Sequence, residues 1–228
     1  MARRAPPWSL ALALFAALAI ASTWPLVLHA GDRVAAGHER AVTVPLASSW
    51  ALWWTADRIG AGFAGFWNAP IFAPTDGAFA MSEPMPLLGA ASAPVQWLGG
   101  SPALAHNLVL LACLVLNGWA VYRLLRRFGL AELPAIAGGA IAVMLPYVHA
   151  QLGVLTLVPI FGIVWTVHAA IDLADDPRWW RGLVAGAALG ATYLMCGQHA
   201  LFLVMAGAPA ALWWLRPGAR RRQLAALV

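Results

Sequence analysis

Lysine is absent from this chain, and all fourteen of its cations are arginine. Charged residues make up only 10% of the 228 positions, whereas 62% are apolar. An ordinary soluble domain carries about a quarter of its residues charged. So thin a supply of charge cannot clothe a water-soluble globule, and that class is excluded. Cysteine is scarce too. Cys113 and Cys196 both sit inside apolar runs, which argues against a disulfide pair or a metal-thiolate centre. The chain has no C-x-x-C, H-E-x-x-H or G-x-S-x-G element, so the chemistries that depend on them have no anchor here. Gly60-Ala61-Gly62-Phe63-Ala64-Gly65 spells G-x-G-x-x-G. No strand pattern precedes it and no βαβ unit follows, so the nucleotide-binding reading fails.

What is present is length in apolar runs. A bilayer core takes about 20 apolar residues per helix, and the pattern predicts an all-α, polytopic membrane bundle of about six spans in one module. The first span falls within residues 1–29. Its positive start and Ala19-Ile20-Ala21 also fit a cleaved signal peptide, but hydrophobicity runs on past Ala21 and favours a retained span. Residues 30–100 form a large outer loop with short interfacial helices. Five further spans fill 101–215, centred on 102–122, 134–148, 154–171, 182–196 and 201–215. Residues 216–228 make a basic tail, and the apolar stub 224–228 reads as the start of another span. Gly182, Gly186 and Gly190 form a small-residue stripe expected to pack against a neighbouring helix.

Six spans place Arg3, Arg4, Arg123, Arg126, Arg127, Arg178, Arg181, Arg216, Arg220, Arg221 and Arg222 on one side. Arg33, Arg40 and Arg58 fall opposite. This bias predicts a cytoplasmic N-terminus, with the long loop outside. It also accounts for the isoelectric point near 10.2 without nucleic acid, which is not an expected partner.

Within the outer loop, residues 44–59 read as a helix carrying Leu46, Trp50, Trp53 and Trp54 on one face, with Ser48 and Thr55 opposite. Tryptophan prefers the headgroup level, so the helix is expected to lie on the membrane surface. Asp57 falls on the tryptophan side, either paired with Arg58 or Arg40 or facing a cavity. Ser82 reads as the N-cap of a second short helix with Pro84 in its first turn.

The predicted topology gathers His29, Asp32, His38, Glu39, Glu83, His106, His149 and His199 at the outer face. His29, His38 and His106 read as ordinary helix-end residues, and Glu83 suits the positive end of its helix. His149 with Gln151, and Gln198 with His199, pair histidine with glutamine at two outer turns. Asp32, just past the first span and beside Arg33, is the strongest catalytic candidate, and is expected to look into a crevice at the outer face. The other side holds arginine with Glu132, Asp172, Asp175 and Asp176, a solvated pattern.

The order of these motifs resembles the bacterial multi-span glycosyltransferases of the GT-C type. Gly31-Asp32 follows the first span; Asn68-Ala69-Pro70-Ile71-Phe72-Ala73-Pro74 and Ser82-Glu83 lie in the first outer loop. Ala105-His106-Asn107-Leu108 opens the second span, and Pro146-Tyr147 with Gln151-Leu152 closes the third. The resemblance implies that Asp32 is the catalytic base and that the donor is a sugar on polyprenyl phosphate. It implies transfer to a lipid, glycan or protein acceptor at the outer face of the bacterial inner membrane. Arg33, Arg40, Glu83, His149, Gln151 and His199 are then the substrate-binding candidates, with Arg33, Arg40, His149 or His199 steadying the departing phosphate. The turn Tyr147 to Gln151 holds no acid, so a divalent metal, if one is used, would have Glu83 as the obvious partner to Asp32. The family is longer than this chain, which corresponds to its front module and reads as a possible fragment. Two other functions compete: a transporter or flippase for a lipid-linked or anionic substrate, and a non-catalytic assembly partner. Asn117 and Thr192 are the main mid-span polar residues a transporter would use.

Overall fold

A computed structural model describes residues 8–214, with side chains through residue 209. Arg3, Arg4, the tail arginines from Arg216 onward and the 224–228 stub lie outside the described residues. The described chain is all helical: α1 Trp8–Ser22, α2 Thr43–Gly60, α3 Pro86–Trp97, α4 Pro102–Arg127, α5 Glu132–Val143, α6 Pro146–Ala150, α7 Phe161–Asp175, α8 Trp179–Met195 and α9 Gly197–Trp214. Short 3₁₀ turns occupy Leu26–His29, Ala78–Met81 and Leu155–Leu157.

Three of these stretches are long and apolar enough to cross a bilayer: Pro102–Arg127, Glu132–Ala150 and Leu155–Asp175. Their outward surfaces are apolar as well, with Leu133, Ile141 and Val167 exposed. In water such a surface would be costly at about 25 cal/mol per Å²; in lipid it is what the solvent asks for. α1 is shorter than the expected first span. Pro25 lacks a backbone donor, and the Thr23 hydroxyl turns back to the Ala19 carbonyl at 2.7 Å, so the helix stops at Ser22.

Prolines also shape the Glu132–Ala150 and Leu155–Asp175 stretches. Leu145, held at φ −58°, ψ 122°, separates α5 from α6, because the residue before a proline is driven out of the helical region. Before α7, Pro159 breaks the ladder, and buried Asn117 repairs it. Its amide donates to the Val158 carbonyl at 2.9 Å and its carbonyl accepts from the Phe161 N–H at 2.8 Å.

α4 is the central post, packed against α1, α2, α3, α5 and α7. Ala11, Phe15 and Ala19 are the buried stripe of α1, and Phe15 reaches the crossing of α4 and α5. At that crossing a Cβ on Gly118 would stand 2.6 Å from Val143 Cγ2 and 3.0 Å from the Gly139 carbonyl. The close-packing glycines are therefore Gly118 and Gly139. Around Gly182, Gly186 and Gly190 a Cβ would meet open space, so the predicted packing role of that stripe is not found among the described residues.

α2 and α3 pack on each other and on the start of α4. The helix predicted over 44–59 is present, but its buried side takes in the small polar residues together with Trp54. Ser48, Ala51, Leu52 and Thr55 are buried, whereas Leu46 and Trp53 are exposed. The α2–α3 approach is close because Gly89 lies against the Thr55 side chain. Trp50 and Trp54 stack at 5.9 Å and turn partly inward, with the Trp54 ring N–H donating to the Phe66 carbonyl at 2.9 Å. Ser82 does not cap a helix. α3 begins at Pro86 after Met85, whose φ of 44° is left-handed, and Ser82 itself is extended.

Candidate functional site

The connections that carry the predicted site residues lie at one end of the bundle, where α4 and α9 begin and α6 and α8 end. Asp32 stands in the turn after the Leu26–His29 segment, and that turn is braced from below by α4. The Ser101 hydroxyl donates to the Gly31 carbonyl at 2.6 Å while accepting from the Leu104 N–H, so one side chain both caps α4 and fixes the turn. The buried Asn107 amide donates to the carbonyls of Ala30 at 2.9 Å and Arg33 at 2.6 Å. Gly37, at φ +59°, lets the chain continue closely over α6, since a Cβ there would lie 2.7 Å from the Ala150 carbonyl. The backbone beneath Asp32 is thus well held.

The Asp32 side chain is not enclosed. It is 68% exposed, between His29 at 3.8 Å and Arg33 at 3.9 Å. The expected crevice is not formed around it by the described residues; the carboxylate stands on an open surface. Arg33 beside it is exposed, and so is Arg40 farther along the loop.

Glu83 is exposed as well, but it borders a groove of about 490 Å³ between the Ala78–Met81 segment and the corner where α8 passes into α9. Its Oε1 accepts from Gln198 Nε2 at 3.2 Å. Partial burial against the groove wall raises its carboxyl above the ordinary value of 4.5, because an ionised carboxylate loses hydration there. No arginine or histidine is among the groove's lining residues. The left-handed, buried Met85 turns the chain between Glu83 and α3, a backbone state that costs about 1–2 kcal/mol and persists only where packing enforces it.

The two histidine–glutamine turns are less open than their placement suggests. His149 approaches the Leu145 carbonyl at 3.3 Å through Nδ1, and its Nε2 is buried without a partner. Gln151 is partly buried. His199 is buried, and its Nδ1 also lacks a partner. His106, read as an ordinary helix-end residue, is fully buried with neither ring nitrogen bonded. Sequence reasoning passed over Ser101 and the contact of Gln198 with Glu83, and it named Asn107 only as part of the motif at the start of α4. Gln198 had a signal, its place beside His199; the reach of Ser101 and Asn107 back across some seventy residues had none.

Asp57 satisfies both of its predicted readings. Arg58 pairs with it through Nε at 2.8 Å and through a second, shorter contact, and it lines a recess of about 490 Å³ with Trp53, Gln96 and Trp97. At the opposite end of the bundle, Arg127 bridges Asp172 and Asp175, Arg181 and Arg178 meet Asp176, and Arg126 meets Glu132. Mid-span, Asn117 is satisfied by backbone, and Thr192 donates to the Ala188 carbonyl at 2.8 Å with Thr166 alongside at 3.1 Å. Both therefore serve helix packing. Among the described residues no group of three or more His, Cys, Asp or Glu side chains gathers to hold a metal ion.

No curated protein and no solved structure matches the chain. A family model does, over residues 46–228. The match takes in Glu83, His149, Gln151 and His199 and begins beyond Asp32, Arg33 and Arg40. Because it covers most of the sequence, the chain belongs to the family described as a domain of unknown function, DUF6311.

Proposed function

We propose that this chain is a membrane glycosyltransferase, or the N-terminal part of one, moving a sugar from a polyprenyl-phosphate donor to an acceptor. In this reading it has six spans in a bacterial inner membrane, a cytoplasmic N-terminus, and α2 and α3 at the outer surface. The observation that carries it is the braced turn: Ser101 and Asn107 hold the backbone around Asp32 by three side-chain hydrogen bonds, at the bundle end that also bears the Glu83 groove.

The chemistry assigns each residue a task. Asp32 takes the proton of an acceptor hydroxyl as its oxygen bonds to the anomeric carbon. The bond from that carbon to the phosphate oxygen breaks, and its electron pair leaves with polyprenyl phosphate through an oxocarbenium-like transition state. A lipid-borne donor carries its phosphate at headgroup level, where exposed Arg33 and Arg40 offset the growing charge. In this reading His149, partly buried, and His199, buried, shape the site rather than meet the phosphate. Binding a nucleotide is unnecessary, since the lipid carries the activated sugar.

The test is transfer from a polyprenyl-phosphate sugar by the full-length protein in proteoliposomes, with Asp32→Asn beside the parent. Loss of a positioned base is expected to slow transfer by about 10²- to 10⁴-fold. Undiminished transfer would remove Asp32 from the mechanism.

A further inference from the structure

We infer that the groove beside Glu83 binds an uncharged, hydroxylated head group carried on an apolar stem, with Glu83 and Gln198 holding its hydroxyls. Its assignment as the acceptor site rests on the glycosyl-transfer reading; its binding chemistry does not.

Size, charge and wall chemistry all bear on the occupant. A cavity of about 490 Å³ is within the range of small-molecule pockets and accommodates one sugar ring with the beginning of a chain. Its acid is Glu83, and no cation lines it among the described residues. A phosphate brought there would meet a carboxylate and lose its water with nothing to replace it, so anions are disfavoured. Hydroxyls are suited to the pair that is present. The carboxylate accepts from them, and Gln198 gives one amide hydrogen to Glu83 and retains a second donor and a carbonyl acceptor.

The rest of the wall is apolar. Leu194 and Leu201 line the groove together with Trp67 and Tyr193, and all four side chains are exposed. Aromatic faces at the rim suit the C–H faces of a sugar ring, and the leucines continue onto the apolar outside of α8 and α9. A stem entering from lipid would therefore stay out of water along its length. The raised carboxyl of Glu83 fits the same picture, since the apolar groove wall beside it disfavours its charged form. The charge arrangement also divides the work. The phosphate of a lipid-linked donor belongs with Arg33 and Arg40, and a neutral acceptor with Glu83.

Dicyclohexylcarbodiimide tests this on the full chain in lipid nanodiscs. A protonated carboxyl beside apolar surface adds to this reagent, its proton going to nitrogen and its oxygen to the central carbon, and the adduct rearranges to a stable N-acylurea read by peptide mass spectrometry. Glu83 is expected to be labelled in preference to Asp32. Dodecyl β-glucoside at ten times its dissociation constant is expected to slow that labelling about tenfold, dodecyl phosphate is expected to leave it unchanged, and Gln198→Leu is expected to weaken the glucoside's protection. Equal protection by dodecyl phosphate would reveal a charge-blind apolar slot, and absent protection by the glucoside an empty groove. Failure to label Glu83 would reveal a carboxyl in open water. Each result would overturn the inference. Protection without sugar transfer sinks the transferase reading alone; transfer without protection sinks the groove alone.

Discussion

Asp32 and Glu83 stand at the same end of the bundle and are held in opposite ways. Asp32 has a secured backbone and a free side chain: three hydrogen bonds fix its turn, while the carboxylate lies in solvent between His29 and Arg33. Glu83 has a strained backbone nearby and an exposed side chain that lies along one side of a groove. Met85 is forced left-handed, and the carboxyl meets a neutral amide over an apolar groove. The difference teaches what each site suits. An open acid beside an arginine suits ligands that bring their own charge, and an acid beside an amide and an apolar groove suits neutral ones.

Removing the brace should produce the largest effect. Asn107→Leu leaves the partly buried Ala30 and Arg33 carbonyls without their side-chain donor, at about 1 kcal/mol for each lost hydrogen bond. Hydrogen exchange over residues 29–40 is expected to speed up strongly, while carbodiimide labelling of Glu83 stays as it was. Equal disturbance of both would show one coupled site rather than two. A smaller change should follow from Gln198→Leu, which takes a single hydrogen bond of about 1 kcal/mol from Glu83. Its mark is altered labelling at Glu83 with unchanged exchange around Asp32; a thermal midpoint shifted as far as by Asn107→Leu would contradict the comparison.

The gentlest prediction concerns pH. Since the Glu83 carboxyl is raised above 4.5 by desolvation, the folded protein holds this proton more tightly than the unfolded chain does. Its contribution to stability is therefore full below the ordinary value and declines as pH rises through the raised one. Thermal midpoints measured upward from pH 4.5 should fall less in Glu83→Gln than in the parent. A parallel pair of curves would mean that the wall does not desolvate the acid. Together with the transfer assay on Asp32→Asn and the labelling competition, these measurements ask whether the two acids act on different ligands.

The sequence by itself determined the class and most of the elements. Scarce charge and long apolar runs called for apolar helices of bilayer length, and three such stretches are present among the described residues. The 44–59 helix and the pairing of Asp57 with Arg58 followed from local spacing. Helix ends were misjudged even where a proline is local: the expected span over 134–148 runs through Pro146, whereas α5 ends at Val143 and α6 starts at Pro146. Only the tertiary structure decided which glycines carry close crossings. Gly118 and Gly139 meet around Phe15, whereas the regular stripe Gly182, Gly186 and Gly190 faces open space, because spacing marks a small face without naming what packs on it. Likewise an aspartate after the first helix is visible in the chain, but its exposure is not. The contact of Glu83 with Gln198, across more than a hundred residues, exists because α8 and α9 turn back at Gly197 beside the Ser82–Met85 turn. Short-range periodicity fixes how each segment coils; which polar groups end up sharing a wall depends on how the coils are stacked.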